Sequence, residues 1–150
     1  DASACVTGPY ARTPTHTAVS AGYYHTCGLR TDGQLTCWGY DGYGQVSSPT
    51  GSTDTYISIS AGYFHTCGLR TDGRLVCWGY DGYGQVSGPN DSTDIFAAVS
   101  AAYYHTCGLR TDGRLVCWGY DAYGQVSSPT GSTETYTASA VCRERASAPG

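Results

Sequence analysis

One histidine with two cysteines, His25 with Cys27 and Cys37, recurs at His65, Cys67 and Cys77 and again at His105, Cys107 and Cys117. Imidazole and thiolate suit zinc. The short Cys-x-x-Cys knuckle of such sites is missing, however, and eight cysteines in 150 residues fit a disulfide framework better. We therefore expect no metal and no cofactor, with the histidines making structural hydrogen bonds at a strand start. Nor is there a constellation for catalysis. Asp32, Asp72 and Asp112 belong to turns, no serine lies in a nucleophile-elbow context, and no glycine loop opens a helix to hold phosphate. The chain is not read as an enzyme.

A second recurrent set has the chemistry of recognition. Tyr23, Tyr24, Tyr40, Asp41, Tyr43 and Gln45 return as Tyr63, Phe64, Tyr80, Asp81, Tyr83 and Gln85, and as Tyr103, Tyr104, Tyr120, Asp121, Tyr123 and Gln125. Tyrosine offers a flat apolar ring with a polar tip, and a neighbouring carboxylate and amide can fork onto vicinal hydroxyls. That combination suits a sugar. The expectation is a multivalent carbohydrate-binding protein, a lectin with one shallow ligand-binding site per repeat and glycans as partners, whose strength comes from multiple engagement. A protein-binding surface and a structural extracellular protein are the alternatives.

These residues must be positioned by a repeated unit. Cys27, Cys67 and Cys107 show a period of 40, which divides the chain into repeats at about 16–55, 56–95 and 96–135, with a further strand at 136–142 and one domain over 1–150. Each unit holds a strand such as His25 to Arg30, a turn Thr31-Asp32-Gly33 and a return strand Leu35 to Trp38. Asp-Gly between alternating runs is a hairpin signal. Centring the hairpin on Asp32 sets Leu29 opposite Leu35 and Cys27 opposite Cys37, so Cys27–Cys37, Cys67–Cys77 and Cys107–Cys117 are the expected bridges. The same register puts Tyr24 across from Tyr40, at the open end of the hairpin. A third strand precedes each hairpin at Ala18 to Ser20, Ile57 to Ile59 and Ala97 to Val99, and a fourth copy lies at Thr137 to Val141. No helix longer than about two turns is expected, and the Pro- and Ser-rich stretches between units read as loops.

The run Ala21-Gly22-Tyr23-Tyr24-His25-Thr26-Cys27-Gly28-Leu29, followed by Thr31-Asp32-Gly33, Cys37-Trp38-Gly39 and Tyr43-Gly44-Gln45-Val46, resembles the repeat of the regulator of chromosome condensation family. The resemblance implies β-propeller blades, with Trp38, Trp78 and Trp118 packed between them. It also implies that the residues before His-Thr and the loop between Trp-Gly and Gly-Gln look toward one open surface. The fold class is thus all-β, three 40-residue antiparallel repeats forming propeller-like blades. Closed propellers take roughly four to eight blades. We therefore expect a homodimer completing a ring of six, or alternatively a single-chain threefold β-prism or β-trefoil. Cys5 and Cys142 form the remaining pair, within or between chains.

Composition bounds the rest. The charge is −4, lysine is absent and the arginines recur singly rather than in a patch, which disfavours nucleic acid. No apolar run is long enough for a membrane span. The chain reads as secreted and extracellular, a mature product after leader removal, with Asn90-Asp91-Ser92 as an N-glycosylation sequon.

Overall fold

In each repeat the apolar residues alternate, glycine and aspartate break the chain at fixed places, and the result is a three-stranded antiparallel meander. A computed structural model of the chain describes residues 15–47 and 52–127. The first sheet runs β1 (His16–Ala21), β2 (His25–Arg30), β3 (Leu35–Gly39). The second runs β4 (Tyr56–Ala61), β5 (His65–Arg70), β6 (Leu75–Gly79). After a short helix α1 (Ser87–Asp91) comes the third, β7 (Phe96–Ala101), β8 (His105–Arg110), β9 (Leu115–Gly119). The sheets are separate and none closes on itself. They are blades of an incomplete propeller rather than the alternative prism or trefoil.

The hairpin register is the one the turn dictates. Gly33 adopts φ +82°, a left-handed conformation that favours glycine, and its N–H donates to the Arg30 carbonyl. Cys27 then pairs with Cys37 and Leu29 with Leu35, and the pattern repeats in both later hairpins. The paired cysteines sit 4.0–4.1 Å apart at Cα, and all three bridges are formed. Each staples a hairpin, a constraint of the kind typically worth about 2–4 kcal/mol. Cys5, Cys142 and the strand expected at 136–142 lie outside the described residues.

Blades pack face to face in sequence order. Cys27, Leu29, Leu35 and Cys37 of the first blade meet Tyr56, Ile59, Val76 and Trp78 of the second. Leu69 and Leu75 of the second meet Phe96, Val99 and Trp118 of the third. Gly68 seats this packing from below, since a Cβ there would lie 2.5 Å from the Tyr56 ring. Each fully buried leucine or aromatic contributes about 1.5–3 kcal/mol.

Polar bonds fix how far one blade slides past the next. The Gln45 carbonyl, on the loop leaving the first blade, accepts from Thr66 Oγ1 (3.1 Å) and Trp78 Nε1 (2.9 Å) of the second. Thr66 Oγ1 in turn accepts from His25 Nε2 of the first at 2.6 Å. The next boundary repeats the core of this relay, with His65 Nε2 to Thr106 Oγ1 at 2.9 Å and Thr106 Oγ1 to the Gln85 carbonyl at 3.0 Å. Ser20 and Ser60 add a side-chain bond each, accepting from the N–H of Ala61 and Ala101. His25 and His65 are therefore structural, as expected, but their partners belong to the following repeat; His105 has no such threonine among the described residues.

Two expectations need adjustment. Trp78 is 4% exposed, whereas Trp38 is 53% exposed because no blade precedes it among the described residues. The segment from Ser87, read as loop, contains α1, and the Asn90 amide within it takes the N–H of Cys77 (2.7 Å) and donates to its carbonyl (2.8 Å). The sequon side chain is thus paired to the edge of β6.

Replacing Thr66 by valine keeps the shape and strips the hydroxyl from this relay, leaving a buried imidazole N–H without its acceptor. Chemical denaturation should show a loss of about 1–3 kcal/mol, and Thr66→Ser should lose distinctly less.

Candidate functional site

The open ends of the hairpins build the site. Beyond the last ladder pair, Tyr40 N–H donates to the Tyr24 carbonyl at 2.9 Å, so the two rings flank one another as the register implies. The chain then turns through Asp41 to Ser47. Asp41 Oδ1 accepts from the N–H of Val46 (2.7 Å) and Ser47 (3.0 Å), and Gln45 Oε1 accepts from the N–H of Tyr43 (2.9 Å). The loops at Asp81 and Asp121 repeat these bonds. Gly44, at φ +77°, supplies the reversal.

This places the expected site residues in two groups. Asp41, Asp81, Asp121, Gln45, Gln85 and Gln125 fold the loop that carries the tyrosines. Gln45 and Gln85 are completely buried, and Gln125 is half-buried. The aspartates are exposed and held as anions. The Val46 and Ser47 N–H groups hold the Asp41 carboxyl below its ordinary range, and those of Ser127 and Val126 do so for Asp121. At Asp81 partial desolvation pushes upward, but the Ser87 and Val86 N–H groups outweigh it.

The aromatic residues form one connected surface. Tyr23, Tyr63 and Tyr103 stack along the inner ends of the blades, with centroids 4.5 and 3.9 Å apart. Further out, Tyr43 reaches Phe64 (4.9 Å) and Tyr80 (5.1 Å) of the next repeat, and Tyr83 reaches Tyr104 (5.2 Å) and Tyr120 (5.0 Å). The recesses therefore straddle blade boundaries instead of lying one per repeat. Tyr24, Tyr40 and Phe64 line one of about 260 Å³. Tyr83, Tyr104, Tyr120 and Tyr123, with His105 and Gln125, line another of about 360 Å³. Tyr23, Tyr63 and Tyr103, with the small residues before them, surround an axial hollow of about 300 Å³.

Charge is segregated. Arg30, Arg70 and Arg110 pair with Asp32, Asp72 and Asp112 at the turn ends of the hairpins, far along the strands from the tyrosines. Among the described residues the tyrosine end carries Asp41, Asp81 and Asp121 and no arginine. No group of three or more metal-binding side chains occurs among the described residues, and the cysteine sulfurs beside each histidine are bonded to one another. No helix among them is long and apolar enough to cross a membrane.

What the sequence did not reveal is the cross-repeat relay beneath the site. Its signal was available as a constant 41-residue offset between His25 and Thr66 and between His65 and Thr106. Because Thr66 Oγ1 donates to the Gln45 carbonyl, His25 must donate from Nε2, so that in the neutral ring Nδ1 is the unprotonated nitrogen. Among the described residues the buried Nδ1 atoms of His25 and His65 have no hydrogen-bond partner. Burial lowers both imidazoles, and it pushes His65 down to about 4, helped by the neighbouring His25 and His105.

A repeat-built, disulfide-stapled arc of propeller blades with an aromatic face defines the class. Residues 17–45, 56–85 and 96–125 match the regulator of chromosome condensation (RCC1) repeat, and the chain belongs to that family. Among solved structures it is similar to the entire ectodomain of the Physcomitrella patens receptor kinase CR4, with 30% identity, TM-score 0.61, and coverage of 71% of this chain and 29% of that one. It is also similar to the CRINKLY WD40 ectodomain of the Arabidopsis thaliana receptor kinase ACR4, with 25% identity, TM-score 0.57, and coverage of 72% and 37%. Yeast RCC1 (Prp20), solved bound to Kap60, shares the fold at 20% identity and TM-score 0.60, with coverage of 71% and 32%. The chain thus spans 29–37% of these proteins' lengths. No curated protein matches it.

Since the His65 imidazole titrates near 6.5 unfolded and about 4 folded, the folded state is favoured fully above 6.5 and loses that advantage as pH falls toward 4. The loss should approach about 3 kcal/mol at its limit. Denaturation midpoints measured across this window should fall steadily with acidification.

Proposed function

We propose that the chain is a secreted, non-catalytic binding module whose tyrosine face takes a polypeptide partner across blade boundaries. The observation that carries this reading is the continuity of the face, in which Tyr43 and Tyr83 join each repeat to the next through ring contacts. Large, half-exposed aromatics clustered on one surface are the usual anchors of protein interfaces. The glutamines expected to reach a ligand are instead committed to the loop, and one oxygen of each aspartate is occupied by backbone. Three disulfides support an oxidising, extracellular setting. The likeness to two receptor ectodomains supports the same setting, and Prp20 in complex with Kap60 is a protein of this fold holding a protein partner.

Carbohydrate is the second reading. Tyr23 and Tyr123, 69% and 89% exposed, offer open ring faces beside anionic aspartates. Peptide display and a glycan array run on the same chain separate the two. Under the first reading a selected peptide loses at least tenfold in affinity with Tyr43→Ala or Tyr83→Ala, as expected for interface anchors. Glycan binding without peptide selection would transfer the site to the second.

A homodimer remains our proposal for closing the arc. Among the described residues no carbonyl serves Thr26 Oγ1 and Trp38 Nε1 as that of Gln45 serves Thr66 and Trp78, and Val19 on the same blade is 70% exposed. Native mass measurement should give two copies, and Trp38→Glu should give one.

A further inference from the structure

Resting on the reading of the tyrosine face as a binding surface, we propose that the recess of Tyr24, Tyr40 and Phe64 is an aromatic cage for an organic cation, specifically a quaternary ammonium group.

Among the described residues its lining is Tyr24, Tyr40 and Phe64. Their centroids form a near-regular triangle, with Tyr24–Phe64 at 5.5 Å, Tyr24–Tyr40 at 5.9 Å and Tyr40–Phe64 at 6.3 Å. A cation seated over this triangle lies within roughly 6 Å of each centroid, the range of cation–π attraction to a ring face; Tyr24 and Phe64 lie near parallel, at 21°, and Tyr40 is tilted against them by 57° and 55°. Tyr43 closes the next side, 6.3 Å from Tyr40 and 4.9 Å from Phe64. Tyr24, Tyr40 and Tyr43 are each about half-exposed, so the rings meet solvent at an open mouth.

Charge selects the ligand's sign. Asp41 adjoins Tyr40 in the chain and is anionic, its carboxyl held by the Val46 and Ser47 N–H groups. The described arginines that could repel a cation sit at the opposite ends of the hairpins. His25, beneath the recess, is buried, with its Nε2 donating to Thr66. An anion would face the Asp41 carboxylate with only two phenol donors to offset it, and a sugar would find few directional partners besides those phenols. A primary ammonium is strongly hydrated and needs acceptors that the rings do not supply. A methylated ammonium needs none, which makes it the fitting class.

The cage is built from two blades, Tyr24 and Tyr40 from the first and Phe64 from the second, so it exists only where the blade boundary is locked. The larger recess at the third blade is lined by Tyr83, Tyr103, Tyr104, Tyr120 and Tyr123 but also by His105 and Gln125, polar side chains that the Tyr24 recess lacks among the described residues. The Tyr24 recess should therefore be the stronger one.

The test titrates the whole chain by NMR or calorimetry with choline and, separately, with its uncharged isostere 3,3-dimethylbutanol. Choline should bind, with the isostere roughly tenfold weaker. Phe64→Leu should abolish choline binding, and Phe64→Trp should retain it. Should Phe64→Leu fail to fold, the comparison of the two ligands on the parent chain still decides. Equal binding of both overturns the cage in favour of a merely apolar recess. If neither binds while a display-selected peptide still does, the cage is wrong and the binding face stands. If peptides and glycans also fail, the face itself is refuted. Nε-trimethyl-lysine peptides and phosphatidylcholine vesicles then tell which source of the group is used; either one binding in a Phe64-dependent way sustains the cage, and failure of both overturns it.

Discussion

The structure depends most on a main-chain carbonyl that belongs to one blade and is used by the next. The Gln45 carbonyl accepts from Thr66 and Trp78, and the hydroxyl of Thr66 is thereby turned so that it can accept from His25. A buried hydroxyl with both of its roles assigned has one orientation, and so does the imidazole it meets. Hydrophobic contact between Cys27, Leu29, Tyr56 and Ile59 supplies the larger share of attraction, but such contact is nondirectional and would tolerate sliding. The relay removes that freedom. It matters because the aromatic recesses are shared between blades, and a slip of an ångström would open the contact of Tyr43 with Phe64.

The same view explains why Asp41 and Gln45 recur so faithfully. Gln45 ties Tyr43 through its side chain while its carbonyl holds the following blade, so one residue fixes both the loop and the boundary. Asp41 closes the loop behind it. The tyrosines, with no obligation to the backbone through their side chains, are left to face solvent. The arc also has unlike ends. Its first blade presents the exposed Trp38 and Val19, and its third carries the half-buried His105 with no threonine opposite among the described residues.

Much of this was legible from residues alone. Asp32-Gly33 set the hairpin register, and with it the Cys27–Cys37 pair and the meeting of Tyr24 with Tyr40, because a short turn leaves only one alignment in which the alternating faces agree. The family pattern gave the blade. The roles of Gln45 and Asp41 were not legible in the same way. Both are polar residues in a glycine-rich loop, and composition does not distinguish an amide that faces a ligand from one that caps its own turn; that is decided by which backbone N–H groups the loop leaves unpaired. Nor could one repeat show that Phe64 completes the recess of Tyr24, since that contact arises only when blades stack. Trp38 differs from Trp78 for the same reason, with identical local sequence and different neighbours.

The relay as the organising constraint is tested most directly by the protonation state of the histidines. Long-range nitrogen–proton NMR spectra of the labelled chain, recorded at about pH 5, would normally show a doubly protonated imidazole. The account predicts that His65, whose imidazole burial pushes down to about 4, stays neutral at that pH, and that His25 and His65 both carry a proton on Nε2. A neutral ring at either position with its proton on Nδ1, or a doubly protonated His65, would contradict it: the first cannot donate through Nε2 to threonine, and the second would put an N–H on a buried Nδ1 that has no acceptor among the described residues.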